Sequence, residues 1–525
     1  MCGISFTLYK IADVGRALPH RGPDRNKVYV DPDSTFVMRF DRLNVIDVSA
    51  RGDQPMFYQD IVLVCNGEIF NHKSISTAFG FDMRSGSDCE VILHLYSFLR
   101  KRFEDTSYVM ELLCNHLDGE FAFVLVDKQN KSVMYARDPH GVRPLFFNPS
   151  SGGAASELKA FEEYAHDTVR QFPPGHFAIL SDYKTISPFV RYVPENVVNR
   201  ALSKCLTRPG IVKTIRFLME DAVKKRLMAD RPIAALLSGG LDSSLVAALV
   251  AKHLPYKLKT FSIGFEGSPD LNYARLVADH IGSDHTEILA TPKMFLDAIE
   301  KVIRCIESYD TTTVRASIGN YLVAKHIRQR SDCVVVFNGD YADELCGGYR
   351  YMQLCEDPEE FDRESRRLMS EIHFFDSLRS DRTISVHGLE ARVPFADKKL
   401  VAFYQSIPAV FRMSNNQIEK LLLREAFADH ENLLPKEVLW RKKEAFSDGG
   451  SNASFSWGDI LKGYIDSIVT DEEFEAMNSK KFKLKETYYY HKIFSKYYFN
   501  DDIIPHMWMP KYCDASVVDP SARKL

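Results

Sequence analysis

The chain has 525 residues and a mass of 60.0 kDa, which is too long for one ordinary core and suits about two to four domains of roughly 100–200 residues. Hydrophobic residues make up 45% and aromatic residues 12% of the chain, a balance that excludes disorder as its main state. The 67 Lys and Arg residues against 71 Asp and Glu give a formal net charge of -4, which excludes nucleic-acid binding through a global positive field.

The first half of the sequence is rich in short β-prone runs separated by turn dipeptides. The runs are Ile61–Cys65, Phe121–Val126 and Ser132–Ala136, and the turns are Asn66-Gly67, Asp118-Gly119 and Asp138-Pro139. One helix, predicted over Asp88–Arg100, interrupts them. The pattern predicts an α+β fold in which a few helices cover sheets.

From about residue 205 onward, apolar strands, glycine turns and helices alternate. The predicted strands are Pro232–Leu237, Thr260–Phe265 and Cys333–Phe337, and the predicted helices are Ser243–His253 and Asn272–Ile281. This alternation is typical of a parallel sheet that binds ligands at the carboxyl ends of its strands. The segments beyond about residue 345 are mostly helical in pattern, and Val193–Arg208 is the natural linker between the two halves.

The termini and cysteines predict a cytoplasmic protein without membrane contact. Met1–Phe6 has no basic segment followed by a long apolar stretch, so it does not read as a secretory signal. No segment approaches the run of about 20 apolar residues that a membrane helix needs. The 10 cysteines are scattered, with no Cys/His cluster at zinc spacing, which favours buried reduced thiols.

Cys2 is the exception among the cysteines. Removal of Met1 by an aminopeptidase would make Cys2 the N-terminal residue. Its α-amino group, with a reference pKa of about 7.7–8.0, would then serve as the base for its own thiol. Nucleophile and base would lie on one residue, but a cysteine at position 2 is weak evidence by itself.

The sequence around Cys2 strengthens the catalytic interpretation. Five short motifs follow in order: His20–Asp24, Arg42-Leu43, Asn66–His72, Gly86–Asp88 and Asp118–Phe123. With Cys2 they closely resemble the class II, N-terminal nucleophile, glutamine amidotransferases.

Each motif has a chemical interpretation and a plainer alternative. Arg42 would pair with the α-carboxylate of glutamine and Asp88 would hold its α-ammonium; alternatively the two are a solvated surface pair. The Asn66 side chain and the Gly67 N–H suit an oxyanion hole; alternatively they form an ordinary hairpin turn. The resemblance adds Glu68 to the glutamine site.

A second candidate site lies in residues 238–244, which read Ser-Gly-Gly-Leu-Asp-Ser-Ser between a predicted strand and a predicted helix. Glycines let the backbone approach a phosphate closely, and a helix N-terminus supplies N–H donors and a positive dipole. The lysine of a Walker loop is missing. The string resembles the pyrophosphate loop of ATP pyrophosphatases, which split ATP into AMP and pyrophosphate while adenylating an acid.

The partners of such a loop occur further along the chain. Asp242 and Asp343 would share Mg²⁺ on the pyrophosphate, because that ion prefers few carboxylates plus phosphate oxygens. Lys443 would help the departing pyrophosphate, and Arg382 is a second candidate for that role. By itself, either basic residue is more often a solvated surface charge.

With both motif sets in this order, the chain resembles the glutamine-hydrolysing asparagine synthetases almost end to end. The resemblance implies an N-terminal αββα sandwich of the Ntn-hydrolase type over residues 1–195 and an α/β ATP-pyrophosphatase domain, helical towards its end, over residues 205–525. It implies that Cys2 releases ammonia from glutamine through a γ-glutamyl thioester. The second domain would adenylate aspartate to β-aspartyl-AMP, which ammonia then attacks.

The resemblance also assigns binding residues and partners. The ATP-binding residues would be Leu236, Ser238, Gly239, Gly240, Asp242, Ser243, Ile263, Asn338 and Gly339. The aspartate-binding residues would be Thr312, Arg315 and Glu344. The expected ligands are glutamine, aspartate, ATP and Mg²⁺, with neither nucleic acid nor membrane, and a homodimer is an expectation that the family supplies.

One segment departs from the family pattern. Where the family usually reads Ser-Gly-Glu-Gly-Ser-Asp-Glu, residues 338–344 read Asn-Gly-Asp-Tyr-Ala-Asp-Glu. Asp340 keeps the carboxylate that the family uses near the intermediate on a shorter side chain, and Tyr341 puts a ring where glycine is usual. Arg382 stands where lysine is common. These changes indicate either drift with local compensation or a synthetase with weakened coupling or an altered acceptor.

Two further alternatives stay open at this point. One is a β-lactam-synthetase-like ligase that no longer uses glutamine, and the other is a catalytically idle homologue that acts as a sensor. The basic and aromatic stretch from Lys480 to Tyr498 imitates a nucleic-acid surface, but a helix that buries its aromatic rings explains it better.

Overall fold

The computed structural model describes residues 1–9, 11, 13–193, 207–414, 418–430, 432–443, 457–477, 482–504, 507–512 and 517–520. The chain divides into two units, each of which is discontinuous in sequence. The first comprises Met1–Glu195, Met228–Pro232 and Ser385–Glu390, and the second comprises Asn196–Leu227, Ile233–Ile384 and Ala391–Leu525. Residues 194–206 of the predicted linker lie outside the described residues.

The first unit contains two antiparallel sheets. Its strands are β1 Gly3–Leu8, β2 Arg25–Val30, β3 Phe36–Arg42, β4 Met56–Tyr58, β5 Ile61–Ile69, β6 Gly119–Asp127, β7 Ser132–Arg137, β8 Phe146–Phe147, β9 Ala154–Ala155, β10 Arg170–Gln171, β11 His176–Ser181, β12 Thr185–Ile186 and β13 Val190–Arg191. The first sheet has the order β10-β8-β9-β1-β3-β2. The second has the order β12-β11-β7-β6-β5-β4, and β13 pairs with β11. The predicted α+β fold is confirmed.

The alternation of side chains along β5 explains the layering. Val62 and Val64 point into a core shared with Ile4 and Phe6 of the first sheet. The intervening residues Ile61, Leu63 and Cys65 point the opposite way, into a core shared with the helices. Those helices are α1 His72–Phe79, α2 Glu90–Arg100 and α3 Thr106–His116. Because both faces of β5 are buried, its sequence is a continuous apolar run.

Strand β5 runs further than the sequence predicts. It pairs with β6 over its full length, and Asn66 lies opposite Ala122 while Gly67 lies opposite Phe121. The prediction of a turn at Asn66-Gly67 is therefore wrong, because pairing with a distant strand outweighs the local turn preference. A Cβ atom at Gly67 would lie 2.4 Å from the Glu120 carbonyl oxygen, so the close approach of the strands requires glycine here.

The second unit is built on a five-stranded sheet. Its strands are β14 Ile233–Leu236, β15 Lys259–Phe265, β16 Asp284–Ala290, β17 Val335–Phe337 and β18 Glu390–Arg392, in the order β16-β15-β14-β17-β18. The pairs β14–β15, β15–β16 and β14–β17 are parallel. The predicted parallel sheet is confirmed, and its strand order reverses at β14, where ligands bind in folds of this kind.

Helices make up most of the remaining described residues of this unit. They are α4 Arg208–Lys225, α5 Leu241–His253, α6 Pro269–Ile281, α7 Pro292–Ile306, α8 Thr311–Arg330, α9 Ala342–Cys346, α10 Pro358–Glu371, α11 Asp376–Ser385, α12 Lys398–Ser406, α13 Ala409–Arg412, α14 Leu421–Ala428, α15 Lys436–Leu439, α16 Trp457–Ile468, α17 Asp471–Ala476 and α18 Lys485–Phe494. Tyr488 and Tyr490 of α18 are buried, as predicted. Among these described segments, no helix has both the length and the apolar character that crossing a membrane requires.

Candidate active site

The candidate nucleophile lies where strands of both sheets of the first unit meet. Cys2 immediately precedes β1, and its Sγ atom lies 3.7 Å from the carbonyl oxygen of Leu43, which follows β3. Its backbone N–H donates to Asn66 Oδ1 on β5 at 3.1 Å. The Arg21 guanidinium donates from Nε to the Cys2 carbonyl at 2.9 Å. Three separate segments therefore fix the backbone and thiol of Cys2.

Asn66 has the geometry expected of an oxyanion donor. Its Oδ1 atom is engaged by the Cys2 N–H, which orients the amide. Its Nδ2 atom is buried and has no hydrogen-bond partner among the described residues. A buried donor without a partner is rare in folded proteins, and its usual explanation is a functional one. Asn66 therefore presents a free N–H pair beside the nucleophile, where the oxyanion of an acyl transfer needs one.

The other predicted glutamine ligands are buried close to this point. Asp88 accepts from the Ile69 N–H at 2.6 Å through Oδ2, at the end of β5. Glu68 is buried within β5. Arg42 donates to Ser49 O at 2.7 Å and to Asp53 Oδ1 at 2.5 Å, so it braces the loop that follows β3. Asp88 and Arg42 are not a solvated surface pair, because both side chains are buried.

Burial keeps the Cys2 thiol in its neutral form in the chain that begins with Met1. Burial raises the pKa of the thiol to about 11, although the positive N-terminus and Arg42 oppose this rise. The N-terminal ammonium of Met1 is itself buried, 3.6 Å from Glu390, and burial lowers its pKa. While Met1 is present, the Cys2 nitrogen is an amide that cannot accept the thiol proton.

Glu90 orders the loop that carries Asp88. Its carboxylate accepts from the N–H groups of Arg84 and Ser85 at 2.8 and 2.7 Å. Burial raises the pKa of Glu90, but hydrogen bonds from His94, Ser85 and the backbone outweigh this and lower it to about 2. The folded-state pKa is thus below the unfolded value, so the carboxylate stabilises the fold above pH about 4.5 and this contribution is lost as the pH falls towards about 2.

We therefore expect Glu90→Gln to lower the free energy of unfolding by about 2 kcal/mol at pH 7, and by progressively less as the pH falls from about 5 to about 2. Urea unfolding followed by circular dichroism at a series of pH values measures this difference. The exposed Glu104 supplies the control, because Glu104→Gln should leave the pH profile unchanged. A constant difference between wild type and Glu90→Gln across the whole range would contradict the assignment.

A cavity of about 330 Å³ lies at the carboxyl ends of β14, β15 and β17 in the second unit. Most of the predicted ATP, aspartate and metal residues line it, namely Leu236, Ser238, Gly240, Asp242, Ser243, Ile263, Thr312, Arg315, Asn338, Gly339, Asp340, Asp343 and Lys443. Gly239, Glu344 and Arg382 are not among its lining residues. The parallel sheet thus brings together residues that are more than 200 positions apart in sequence.

The loop between β14 and α5 has the form of a phosphate cradle. Its Ser238 N–H donates to Ser243 Oγ at 3.1 Å, which folds the loop onto the first turn of the helix. Gly239 has φ +74°, and a Cβ atom there would lie 2.6 Å from the Ala274 nitrogen, so only glycine fits. Gly240 precedes α5 without a side-chain cap, which leaves the N-terminal N–H groups of the helix facing the cavity.

Two lysines and two carboxylates form an ionic cluster beside the loop. The buried Lys420 ammonium contacts both Asp242 and Asp343, with a distance of 2.6 Å to Asp343 Oδ1. Lys443 pairs with the other oxygen of Asp343. Burial raises the pKa of Asp343, but the two lysines hold it well below its ordinary value. For Lys420, burial lowers the pKa and the two carboxylates raise it above its ordinary value, so the ammonium is charged at neutral pH.

The donor set of this cluster fits a magnesium ion that also binds phosphate. Asp242 Oδ1 is buried and has no hydrogen-bond partner among the described residues. In that part of the chain no group of three or more His, Cys, Asp or Glu side chains is arranged to hold a metal by itself. Two carboxylates completed by phosphate oxygens and water match the preference of Mg²⁺.

The first turns of α8 line the part of the cavity that is predicted to bind aspartate. Thr312 Oγ1 is buried without a hydrogen-bond partner among the described residues. Arg315 donates from Nε and Nη2 to Glu486 at 2.7 and 2.6 Å, and from Nη1 to Asp519 at 2.8 Å. These two carboxylates come from the C-terminal part of the chain, and they hold the guanidinium in place beside the cavity.

Besides Gly239, two predicted residues, Glu344 and Arg382, lie outside this lining. The Glu344 side chain is buried and accepts from the Tyr349 hydroxyl, and burial with the nearby Asp376 and Asp343 raises its pKa well above the ordinary value. Arg382 is fully buried and pairs with Glu307 at 3.1 Å. Their predicted roles at the reacting groups remain predictions.

Several cavity residues were not predicted from the sequence. Lys420, Arg379 and Arg441 line the cavity, and Tyr349 places its ring 5.4 Å from the Lys443 ammonium. Arg441 donates to the Gly239 carbonyl at 3.1 Å and so links the phosphate loop to the segment that carries Lys443. Of these, only Arg441 lies next to a predicted site residue in sequence, two positions before Lys443.

Comparison with known proteins finds relatives of both halves of the chain. A family model described as a glutamine amidotransferase domain matches residues 1–171, and one described as asparagine synthase matches residues 214–357 and 353–502. The glutamine-hydrolyzing asparagine synthetase of Gallus gallus is 44% identical over 97% of this chain and 94% of that protein. The corresponding enzyme of Homo sapiens is 43% identical with the same coverage.

One solved structure with partial similarity to this chain is an amidotransferase. The glutamine phosphoribosylpyrophosphate amidotransferase from B. subtilis covers 49% of this chain and 65% of its own, with 18% identity and a TM-score of 0.30, which is too low to argue from.

The matched families define the class of protein: a glutamine amidotransferase domain, in the antiparallel unit, is fused to a synthase domain in the parallel unit. The sequence identities to the curated relatives and the two family models together narrow this class to one family. The chain belongs to the asparagine synthetase family, and the resemblance read from the motifs is confirmed.

Proposed function

We propose that this protein makes L-asparagine from L-aspartate, with glutamine as the nitrogen donor and with cleavage of ATP to AMP and pyrophosphate. One observation carries the proposal: the chain matches glutamine-hydrolyzing asparagine synthetases over 97% of its length, so the match includes both candidate sites. We assign glutamine hydrolysis to residues 1–195 and the synthetase reaction to residues 205–525.

Glutamine hydrolysis begins after removal of Met1. The α-amino group of Cys2 takes the proton from Sγ, and the thiolate attacks the side-chain carbonyl carbon of glutamine. Asn66 Nδ2 and the Gly67 N–H stabilise the oxyanion, while Arg42 and Asp88 recognise the amino-acid end of glutamine. Collapse breaks the C–N bond and releases ammonia, and water then hydrolyses the γ-glutamyl thioester. The buried, unpartnered Nδ2 atom of Asn66 supports this assignment.

The synthetase reaction uses the cavity of the second unit. The β-carboxylate of aspartate attacks the α-phosphorus of ATP, and the bond to pyrophosphate breaks. Ser238, Gly240 and Ser243 bind the pyrophosphate at the helix N-terminus, and Lys420 and Lys443 neutralise it as it leaves. Ammonia then attacks the acyl carbon of β-aspartyl-AMP, and AMP departs. We assign Asp340, which lines the cavity, as the carboxylate that serves this second step.

A magnesium ion belongs to the proposal as well. Asp242 and Asp343 would hold it, and it would neutralise charge on the pyrophosphate. The lysines that contact both carboxylates keep the two side chains together beside the phosphate loop. The cytoplasmic location and the homodimer expected from the sequence stay predictions.

The proposed reaction is tested by its stoichiometry. With glutamine, aspartate, ATP and Mg²⁺ present, we expect one asparagine and one pyrophosphate for each glutamine hydrolysed. Quantitative amino-acid analysis and a pyrophosphate assay on the same sample measure this ratio. A one-to-one ratio supports local compensation at Asp340-Tyr341, whereas excess glutamate over asparagine would favour a synthetase with weakened coupling.

A second candidate function, an adenylating ligase with another acceptor, rests on the same departure at Asp340-Tyr341. Pyrophosphate release that depends on a different acid, with little response to aspartate, would favour it. The idle homologue is disfavoured by the ionic cluster around Asp343, because a site without a ligand has no need to keep such charges buried.

A further inference from the structure

The segment that departs most from the family pattern has an unusual backbone. Tyr341 adopts φ +76° and ψ −13°, in the left-handed region that favours glycine. Its side chain is nevertheless almost completely buried, with 1% of its surface exposed. A bulky residue in this conformation persists only when its surroundings hold it there. The family's usual glycine at this position would adopt the same backbone without that support.

Helix α11 supplies the support. The Tyr341 hydroxyl shares a hydrogen bond with the Ser377 hydroxyl on this helix. Two positions further along the helix, Arg379 Nη2 donates to Asp340 Oδ1 at 2.7 Å. Ser380, the next residue, accepts from Asn338 Nδ2 at 2.7 Å. The turn over residues 338–341 is thus joined to one helix by three side-chain contacts.

Both members of the departing pair, Asp340 and Tyr341, line the cavity. The Asp340 carboxylate is held by Arg379, which also pairs with Asp376 at 3.0 Å. Aspartate is one methylene shorter than the family's glutamate, so its carboxylate reaches the reacting atoms only if the turn itself is correctly placed. A misplacement of about 1 Å costs roughly 100-fold in a positioned step. The contacts to α11 provide that placement.

We propose that Tyr341 is a positioning residue that, through its hydrogen bond to Ser377 on α11, places the Asp340 carboxylate for the second step of asparagine synthesis. The proposal rests on the proposed function, because the role of Asp340 comes from it. Asp340 and Tyr341 act together, because the hydrogen bond from Tyr341 to Ser377 fixes the turn that carries the shorter acid.

A double-mutant cycle tests this pairing. Asp340→Glu alone should lower asparagine formation about 10- to 100-fold, because a longer side chain on the fixed turn displaces the carboxylate from its position beside Arg379. Tyr341→Gly alone should lower it about tenfold, because the turn is released from the helix. The double variant restores the usual family pair, and we expect it to return to within about fivefold of the wild-type rate. If the loss of rate in the double variant equals the product of the losses in the two single variants, the proposal is overturned.

Milder variants keep the test decisive if the cycle destabilises the protein. Tyr341→Phe and Ser377→Ala each remove one hydroxyl, and we expect each to lower kcat for asparagine formation about tenfold while the KM for ATP stays within about twofold. Tyr498→Phe is the matched control. The hydroxyl that it removes donates to the Arg304 carbonyl oxygen at 2.6 Å, away from the turn over residues 338–341. Equal effects of the three variants on kcat would mean that Tyr341 is only structural.

Failure of this proposal is distinguishable from failure of the proposed function. Glutamine hydrolysis and thermal melting report whether each variant is folded. If the wild type forms no asparagine at all, the proposed function is wrong. If the wild type forms asparagine but Tyr341→Phe does so equally fast, the proposed function stands and the positioning role of Tyr341 is refuted.

Discussion

Replacement of Cys2 by alanine should lower glutamine-dependent asparagine formation by about a thousandfold or more and leave synthesis from ammonium chloride unchanged. The variant keeps the backbone N–H that Asn66 binds, but it has no sulfur to form the thioester. Ammonia supplied from solution bypasses that step, because the adenylation cavity belongs to the second unit. Asparagine measured with each nitrogen source, at saturating aspartate and ATP, gives the two rates.

Two comparisons sharpen the test. Cys114→Ala removes another buried thiol, on α3, and should retain both activities. Protein that keeps Met1, obtained with the aminopeptidase inhibited and verified by mass spectrometry, should behave like Cys2→Ala, because its Cys2 nitrogen is an amide. If Cys2→Ala lost both activities in folded protein, the division of labour between two sites would be wrong.

The second large effect is expected at Lys420. In the Lys420→Met variant, Asp242 and the other carboxylate of the cluster, Asp343, lose the ammonium that lies between them. Uncompensated negative charge would then face the phosphates of ATP, and one of the two cations that receive the pyrophosphate would be missing. We expect aspartate-dependent release of pyrophosphate to fall about 100- to 1000-fold, with glutamine hydrolysis retained.

A lysine-to-methionine change elsewhere in the second unit supplies the control. Lys259 pairs with Asp332 at 2.6 Å in an exposed position, where an ion pair contributes at most about 1 kcal/mol. Lys259→Met should therefore keep the wild-type rate of pyrophosphate release. Near-normal release by Lys420→Met would show that Lys443 and the helix N-terminus suffice, and the role given to Lys420 would have to be withdrawn.

The fold was predictable where its signals are local. The alternation of strand, glycine turn and helix around residues 232–253 is contained in one stretch of chain, and the structure confirms it as β14, the loop and α5. The turn predicted at Asn66-Gly67 failed for the opposite reason. Whether that dipeptide forms a turn or continues the strand depends on β6, which lies more than 50 residues away. Because Asn66 and Gly67 pair with β6, they continue the strand.

The candidate sites show the same contrast. The motif Ser238–Ser244 predicts a phosphate-binding loop from the sequence alone, because glycines and hydroxyl side chains at this spacing are typical of such loops. Lys420 carries no such signal, because an isolated lysine is usually a solvated surface charge. Only the packing of α14, which starts immediately after it, brings its ammonium to Asp242, 178 residues earlier in the chain. The contact of Arg379 on α11 with Asp340 was not predicted for the same reason, because an isolated arginine carries no local signal of its partner.

The discontinuity of the first unit bears on how this protein came to hold two reactions. Asp230 and Glu390 belong to that unit, although each follows the predicted linker in sequence. Asp230 Oδ2 accepts from the Asp47 N–H at 2.8 Å. The Glu390 carboxylate lies 3.6 Å from the Met1 ammonium. A gene cut at the linker would therefore not return two self-sufficient modules. The two units alternate along the chain, so a separately expressed first unit would need residues 228–232 and 385–390 in addition to residues 1–195.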